Sequence, residues 1–229
     1  MPPRRGRPPA TEPKLGADAI VTAGLATLQA EGLDGLTMGK VADRLEVRTA
    51  SLYWHVRNKE ELLDLLADAV AGAHDLSDCV EPDSWRDSLI AIMRAMRQHM
   101  LSYRDSARLF AGRFSTGPGQ LRNIETILGV LRSARLSNQD TAYMAFLLST
   151  FLIGFVGGEQ APLSAAVSAR RSPRAHLDEL QGQLAALPTA EYPHTVELAA
   201  EMTEPNLDGR FEFALARLLD GVEALRPHH

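Results

Sequence analysis

Between Arg48 and Lys59 the sequence sets out a row of polar tips: Arg48, Thr49, Ala50 and Ser51 in succession, then Tyr53, His55 and Lys59. Hydroxyls of Thr and Ser donate and accept. An arginine fork fits guanine or a phosphate with two bonds, and an alanine methyl can lie against a thymine methyl. Tyr, His and Lys tips suit phosphate oxygens. This is the chemistry of recognition, not of bond making. Motifs for bond making are missing from the sequence: it contains no G-x-S-x-G, phosphate loop, H-E-x-x-H or G-x-G-x-x-G. The seven histidines are scattered, so no catalytic or metal-binding residue is assigned and no cofactor is expected. The single cysteine, Cys79, can form no intrachain disulfide and no Cys-rich metal site, which makes a reducing, cytoplasmic setting the default. Cys79 reads as a small linker residue more readily than as a redox sensor.

The elements that must position these tips are helical. Ile20, Val21, Gly24, Leu25 and Leu28 share one helical face, and Gly32 suits the residue just past a helix end. Thr37 can cap a short helix that turns Val41, Ala42 and Leu45 inward. Glu46-Val47 makes a tight break, and a second short helix is expected over about 49–56. Asn58, with Glu61 three residues on, can start the next helix, striped by Leu62, Leu63, Leu65, Leu66, Ala69 and Val70. Two short helices at this spacing form a helix-turn-helix, whose second helix enters a major groove. Short helix pairs are common, so spacing alone leaves an ordinary solvated pair as the other reading.

Further helices are expected near 85–102, 105–114, 120–134, 138–158, 174–186 and 207–225, with 161–173 and 187–206 as loops. Period-2 strand patterns are missing, and the fold is expected to be all-α. The chain is 229 residues long and 45% hydrophobic, enough to bury a sizeable core and too apolar for a disordered chain. Thr141–Gly158 is an uncharged run of 18 residues, short of the ~20 apolar residues a membrane span needs. With Gly154, Gly157 and Gly158 inside it, the run reads as a helix buried in a bundle or subunit interface, and no membrane is expected.

Charge is uneven. Residues 1–60 hold nine basic and seven acidic groups, whereas the whole chain carries a net −5. That suits a small polyanion-facing module on an acidic body. Residues 1–13 are rich in Pro and Arg and read as a mobile basic arm. Arg5-Gly6-Arg7-Pro8 resembles an AT-hook core, in which arginines enter a narrow A·T minor groove.

Two segments raise the helix-turn-helix reading: Gly35-Leu36-Thr37-Met38-Gly39-Lys40-Val41-Ala42-Asp43-Arg44-Leu45-Glu46-Val47 and Ser51-Leu52-Tyr53-Trp54-His55-Val56-Arg57-Asn58-Lys59-Glu60-Glu61-Leu62-Leu63. Over about residues 15–75 the chain resembles the DNA-binding domain of the TetR family of transcriptional regulators. The resemblance implies a three-helix head, a recognition helix at 48–55 and a long connecting helix from Asn58. It places Thr49, Ala50, Ser51, Tyr53, Trp54 and His55 on the recognition helix, Thr37 at a cap and Lys59 at a phosphate. The candidate DNA contacts are therefore Arg5, Arg7, Thr37, Lys40, Arg48, Thr49, Ala50, Ser51, Tyr53, Trp54, His55 and Lys59, with Leu52 in the core. Gly39 stands where a family member reads a base with arginine, so the operator should differ.

Resemblance is weaker beyond residue 80, carried by Trp85, Ser102-Tyr103-Arg104-Asp105 and 125–137. It implies a ligand pocket lined by the helices near 85–102, 120–134 and 138–158, and a homodimer made by the helices near 138–158 and 207–225. Phe110 and Arg113 stand where tetracycline-responsive members carry a metal-binding histidine and a threonine. Ile92 replaces an asparagine that grips the drug, and these departures argue against a magnesium–tetracycline effector. The candidate pocket residues are His74, Met93, Met96, His99, Met100, Phe110, Arg113, Asn123, Leu128 and Phe146, with Met144 and Leu147 also available, although a Met and Phe stripe is also what plain core looks like. Ala142, Phe146, Ser149, Ile153 and Gly157 are the candidates for the dimer interface.

The sequence thus reads as an arm (1–13), a head (14–62, with its connecting helix over about 58–75) and a ligand-binding and dimerisation body (76–229). The expected function is a ligand-responsive repressor that binds a palindromic, double-stranded operator as a homodimer. A mostly apolar small molecule would release it. The other reading is a DNA-binding activator or architectural regulator with no effector.

Overall fold

The computed structural model describes residues 16–113, 116–169 and 172–227. Among them are helices and turns and no strand. The chain divides into two compact units, the first ending at Leu66 and the second starting at Ala67.

In the first unit, α1 (Ala17–Gly35) kinks at Gly32, where φ is +72°. The expected helix end is therefore a bend, and one more turn follows it. α2 (Met38–Arg44) starts as expected: the Thr37 hydroxyl accepts from the Lys40 N–H at 3.2 Å. Glu46 takes a positive φ of 57° and the Val47 N–H returns to the Ala42 carbonyl at 3.0 Å, closing the tight turn. α3 (Thr49–Leu52) is shorter than the 48–55 expected. After Leu52 the chain tightens, and the N–H groups of His55 and Val56 both return to the Leu52 carbonyl at 2.9 Å. Leu52 and Val56 are buried with Ile20, Leu28, Leu36, Val41, Leu62 and Leu66. A Cβ on Gly24 would stand 2.8 Å from Leu66, so α1 needs glycine there for the close approach.

α4 (Lys59–Gly72) opens in the first unit and ends in the second. Asn58 caps it, accepting from the Glu61 N–H at 2.8 Å. The second unit continues with α5 (Trp85–Leu101), α6 (Ser106–Phe110), α7 (Pro118–Ser133), α8 (Asn138–Ala169), α9 (Pro173–Ala185), α10 (Pro193–Glu197), α11 (Ala199–Met202) and α12 (Leu207–Ala224). Ser84 and Asn206 cap α5 and α12 through their side chains. Pro118 stands in the first turn of α7, where its missing N–H costs nothing.

Two expected loops are partly helix. α8 runs through 161–169 because alanine is the strongest helix former, and four alanines fall in that stretch. The prolines of 187–206 do not abolish helix either: Pro193 sits in the first turn of α10, and α11 follows.

The core of the second unit is built from α5, α7, α8 and α12: Leu89, Ile92 and Met93 meet Leu131, Leu148, Leu152, Val156, Phe211 and Leu219. By length and composition α8 could cross a membrane. Here it buries one stripe, Met144, Leu148, Leu152, Val156 and Glu159. Glu159 meets the Arg97 guanidinium with two bonds, one at 2.8 Å, and Arg97 also reaches Asp208 at 2.7 Å and lies 4.8 Å from the Phe211 ring centre. Arg97 is thereby held still more firmly protonated than usual, chiefly by Glu159. Arg86–Asp220 and Arg94–Glu212 pairs also join α5 to α12 and hold both carboxyls below their ordinary range.

Candidate nucleic-acid interface and ligand cavity

The turn before α3 leaves Arg48 at the N-cap position in extended backbone, exposed, with Ala50 exposed and Thr49 and Ser51 half-buried behind it. Leu52 is fully buried. Tyr53, Trp54 and His55 follow on the exposed turn, and Trp54 is 88% exposed. Tryptophan is on average well buried, so a ring standing in water contributes nothing to this chain's core and is free for a partner. Lys40 pairs with Glu31 at 2.8 Å, both half-exposed, and Lys59 reaches the Leu33 carbonyl at 3.4 Å. Both lysines thus have partners inside the head. Thr37 spends its oxygen on the α2 cap. Arg5 and Arg7 lie outside the described residues.

The second unit holds a cavity of about 350 Å³ that opens to the surface beside Phe146. The end of α4, α5, α6, α7 and α8 wall it. Ten of the twelve residues singled out in the sequence line it: His74, Met93, Met96, His99, Met100, Phe110, Arg113, Asn123, Leu128 and Phe146. Met144 is buried in the core and Leu147 is exposed on the outside of α8, so neither lines it. Residues the sequence reading did not single out line it too, among them Val70, Ala71, Gln120, Ile124 and Ile127. The signal for the last three was present: positions 120, 123, 124, 127 and 128 are one face of a helix. Val70 and Ala71 carried no signal, because the stripe on α4 reads as core. Ile92 is buried in the core and does not line the cavity.

The polar part of the wall is local. The His74 and His99 rings stack with centres 5.5 Å apart, and Tyr103 meets His99 edge-on at 5.2 Å. His99 Nε2 lies 2.7 Å from the Val70 carbonyl, and Asn123 Nδ2 donates to the Ala71 carbonyl at 2.9 Å. His74 Nε2 is buried with no hydrogen-bond partner. Such an atom costs about 1–3 kcal/mol until something bonds it. Among the described residues no cluster of three or more His, Cys, Asp or Glu could hold a metal ion. Burial, then the Asp78 and Asp75 carboxylates, pushes the Cys79 thiol up, away from thiolate reactivity.

Residues 20–66 match the bacterial regulatory proteins of the tetR family, and residues 80–226 match the tetracyclin repressor-like C-terminal domain. The chain belongs to the TetR family. It is 36% identical over 216 residues to the tetracycline repressor protein class A from transposon 1721 of Escherichia coli, covering 93% of each. Among solved structures it is similar to the Streptomyces coelicolor TetR family protein ActR in complex with actinorhodin, at 34% identity and a TM-score of 0.80, covering 92% of this chain and 96% of that one. ActR in complex with (S)-DNPA gives the same TM-score of 0.80 at 35% identity, covering 92% and 98%. The protein is a helix-turn-helix transcriptional regulator and not an enzyme.

In this TetR-family chain the exposed apolar surface of α8 carries Tyr143, Phe146 and Leu147, and Phe213 is exposed on α12. Ala142 and Ser149 are exposed as well, and both line the cavity with Phe146 and Ile153. Ile153 and Gly157 are half-buried: Ile153 packs on the chain's own core, and a Cβ on Gly157 would meet Ala107 at 3.5 Å. The open small residues are instead Gly154 and Gly158, where a Cβ would meet nothing. Three of the five expected interface residues, Ala142, Phe146 and Ser149, are thus exposed, and only toward the end of α8 are Gly154 and Gly158 open in place of Ile153 and Gly157.

Proposed function

We propose that the protein is a homodimeric, ligand-responsive repressor. Two heads read a near-palindromic operator in successive major grooves, about 34–36 Å apart. Arg48, Thr49, Ala50, Ser51, Tyr53, Trp54 and His55 face the groove and its phosphates, Thr37, Lys40 and Lys59 flank them, and Arg5 and Arg7 enter the minor groove. A mostly apolar effector occupies the cavity and releases the operator. One observation supports the scheme above the others: the helix that leaves the reading head ends as a wall of the cavity, with Val70 and Ala71 lining it. A regulator without an effector has no use for such a cavity. Dimerisation would cover Tyr143, Phe146, Leu147 and Phe213. A stripe of α8 packed in the core, with a charged pair in it, goes with a cytoplasmic protein and not a membrane one.

ActR binds actinorhodin, which makes that compound the first to try. The departures at Phe110, Arg113 and Ile92 count against magnesium–tetracycline.

The test is selection of an operator from a randomised duplex pool, followed by fluorescence anisotropy across a salt series with a scrambled duplex as control. The expected result is a preference of at least ~10³-fold with a steep salt slope. Equal binding to both duplexes overturns the regulator reading. An effector must then weaken operator binding by the factor by which operator weakens effector binding, since the coupling is reciprocal. Equal effector affinity with and without operator overturns the release scheme.

A further inference from the structure

We propose that His99 and Asn123 are positioning residues for operator binding: they latch the last turn of α4, and their task is coupling more than gripping an effector. The proposal rests on the regulator reading above.

The last carbonyls of a helix have no partners within it. In α4 two of them are taken by side chains from the cavity wall. The Val70 carbonyl lies 2.7 Å from His99 Nε2 and shares only a longer contact, 3.4 Å, with the Ala73 N–H. The Ala71 carbonyl accepts from Asn123 Nδ2 at 2.9 Å. A carbonyl can only accept, so His99 carries its proton on Nε2. The ring is held for this by stacking on His74 and by the edge of Tyr103.

Two further contacts join the same turn to α7. Asp68 accepts from the Gln120 N–H at 2.8 Å, and the Gly72 and Gly119 backbones meet so closely that a Cβ on Gly119 would lie 2.9 Å from the Gly72 Cα. The backbone contact and the Asp68 bond fix the turn from one side. His99 and Asn123 are the fixings that a molecule in the cavity can reach, because both line it.

This gives occupancy a route to α4. A guest with a carbonyl or hydroxyl oxygen near either donor competes with an α4 carbonyl for it. The guest then favours the state in which the latch is open, and only such differential affinity can shift an equilibrium. His74 Nε2, buried and without a partner, is a polar atom the wall offers without breaking the latch.

Four proteins test the proposal. His99→Phe and Asn123→Leu keep bulk and lose the donor. His99→Gln keeps a donor at similar reach, and the wild type is the reference. Each is titrated with the selected duplex across a salt series, with thermal unfolding and sedimentation alongside. A freed α4 must be frozen again when the heads dock, so the donor-less variants should lose about tenfold in affinity. The salt slope should not change, because no phosphate contact is lost. The thermal midpoint should fall modestly, because an α4 carbonyl loses its donor, but the affinity loss should persist in titrations well below that midpoint, and His99→Gln should recover both. Wild-type affinity in both donor-less variants overturns the latch and leaves the regulator reading standing. So does a loss that merely follows the thermal midpoint, or one that His99→Gln fails to restore. A wild type with no duplex preference overturns both.

Discussion

Trp54 and Leu52 lie two positions apart and have opposite tasks. Leu52 is fully buried, so Leu52→Ala should cost about 2–5 kcal/mol and lower the thermal midpoint of the protein. Trp54 is 88% exposed, so Trp54→Ala should change stability by no more than about 0.5 kcal/mol. Its duplex affinity should nevertheless fall. Thermal unfolding and anisotropy on the same two variants separate the effects, and a Trp54→Ala protein that binds as tightly as wild type removes Trp54 from the interface. Leu52 was legible as core once the family resemblance set the recognition helix. The partners of Lys40 and Lys59 were not, because Glu31 and the Leu33 carbonyl reach them only after the chain folds back.

At the scale of elements, Arg97 gathers α5, α8 and α12. Its side chain is 11% exposed and that of Glu159 is 7% exposed, so neither charge can be left alone cheaply. Glu159→Ala should destabilise by less than the about 3–5 kcal/mol of a fully stranded buried charge, because Arg97 loses its buried partner but keeps the exposed Asp208 at 2.7 Å. The double variant Arg97→Met with Glu159→Leu should recover most of that loss, since a packed apolar pair of similar volume replaces the charges. Chemical denaturation of the three proteins measures both, and a Glu159→Ala protein of wild-type stability would mean that water reaches Arg97. Elements with a cap or a breaker were legible: Thr37 and Asn58 start helices where their side chains predict. The length of α8 was not, because its end depends on how far an alanine-rich stretch is carried on by a packed helix before it.

At the scale of the whole molecule, the proposed function needs two copies. Leu147 is exposed on the apolar face of α8 and does not line the cavity. Leu147→Asp should therefore halve the mass seen by sedimentation, because a charge buried at an apolar interface has no partner. Duplex affinity should fall with it, since two linked heads bind by effective concentration and a single head does not. An unchanged mass would move the interface off this face.

The sequence by itself determined the class and the head. Helical period, caps and the run from Leu52 to Lys59 are local patterns, and local patterns survive without knowledge of the rest of the chain. It also placed ten of twelve expected pocket residues on the cavity wall, because the family resemblance pointed to the helices that carry most of them. The tertiary structure alone decided which donors in that wall are already spent. Val70 and Ala71 are separated from His99 and Asn123 by dozens of residues, and a hydrogen bond between a side chain and a distant carbonyl leaves no period in the sequence. It also decided the α8 stripe. A helix apolar on every side does not reveal which face packs inward; only the neighbours that bury Leu148, Leu152 and Val156 do so, leaving Tyr143, Phe146 and Leu147 outside.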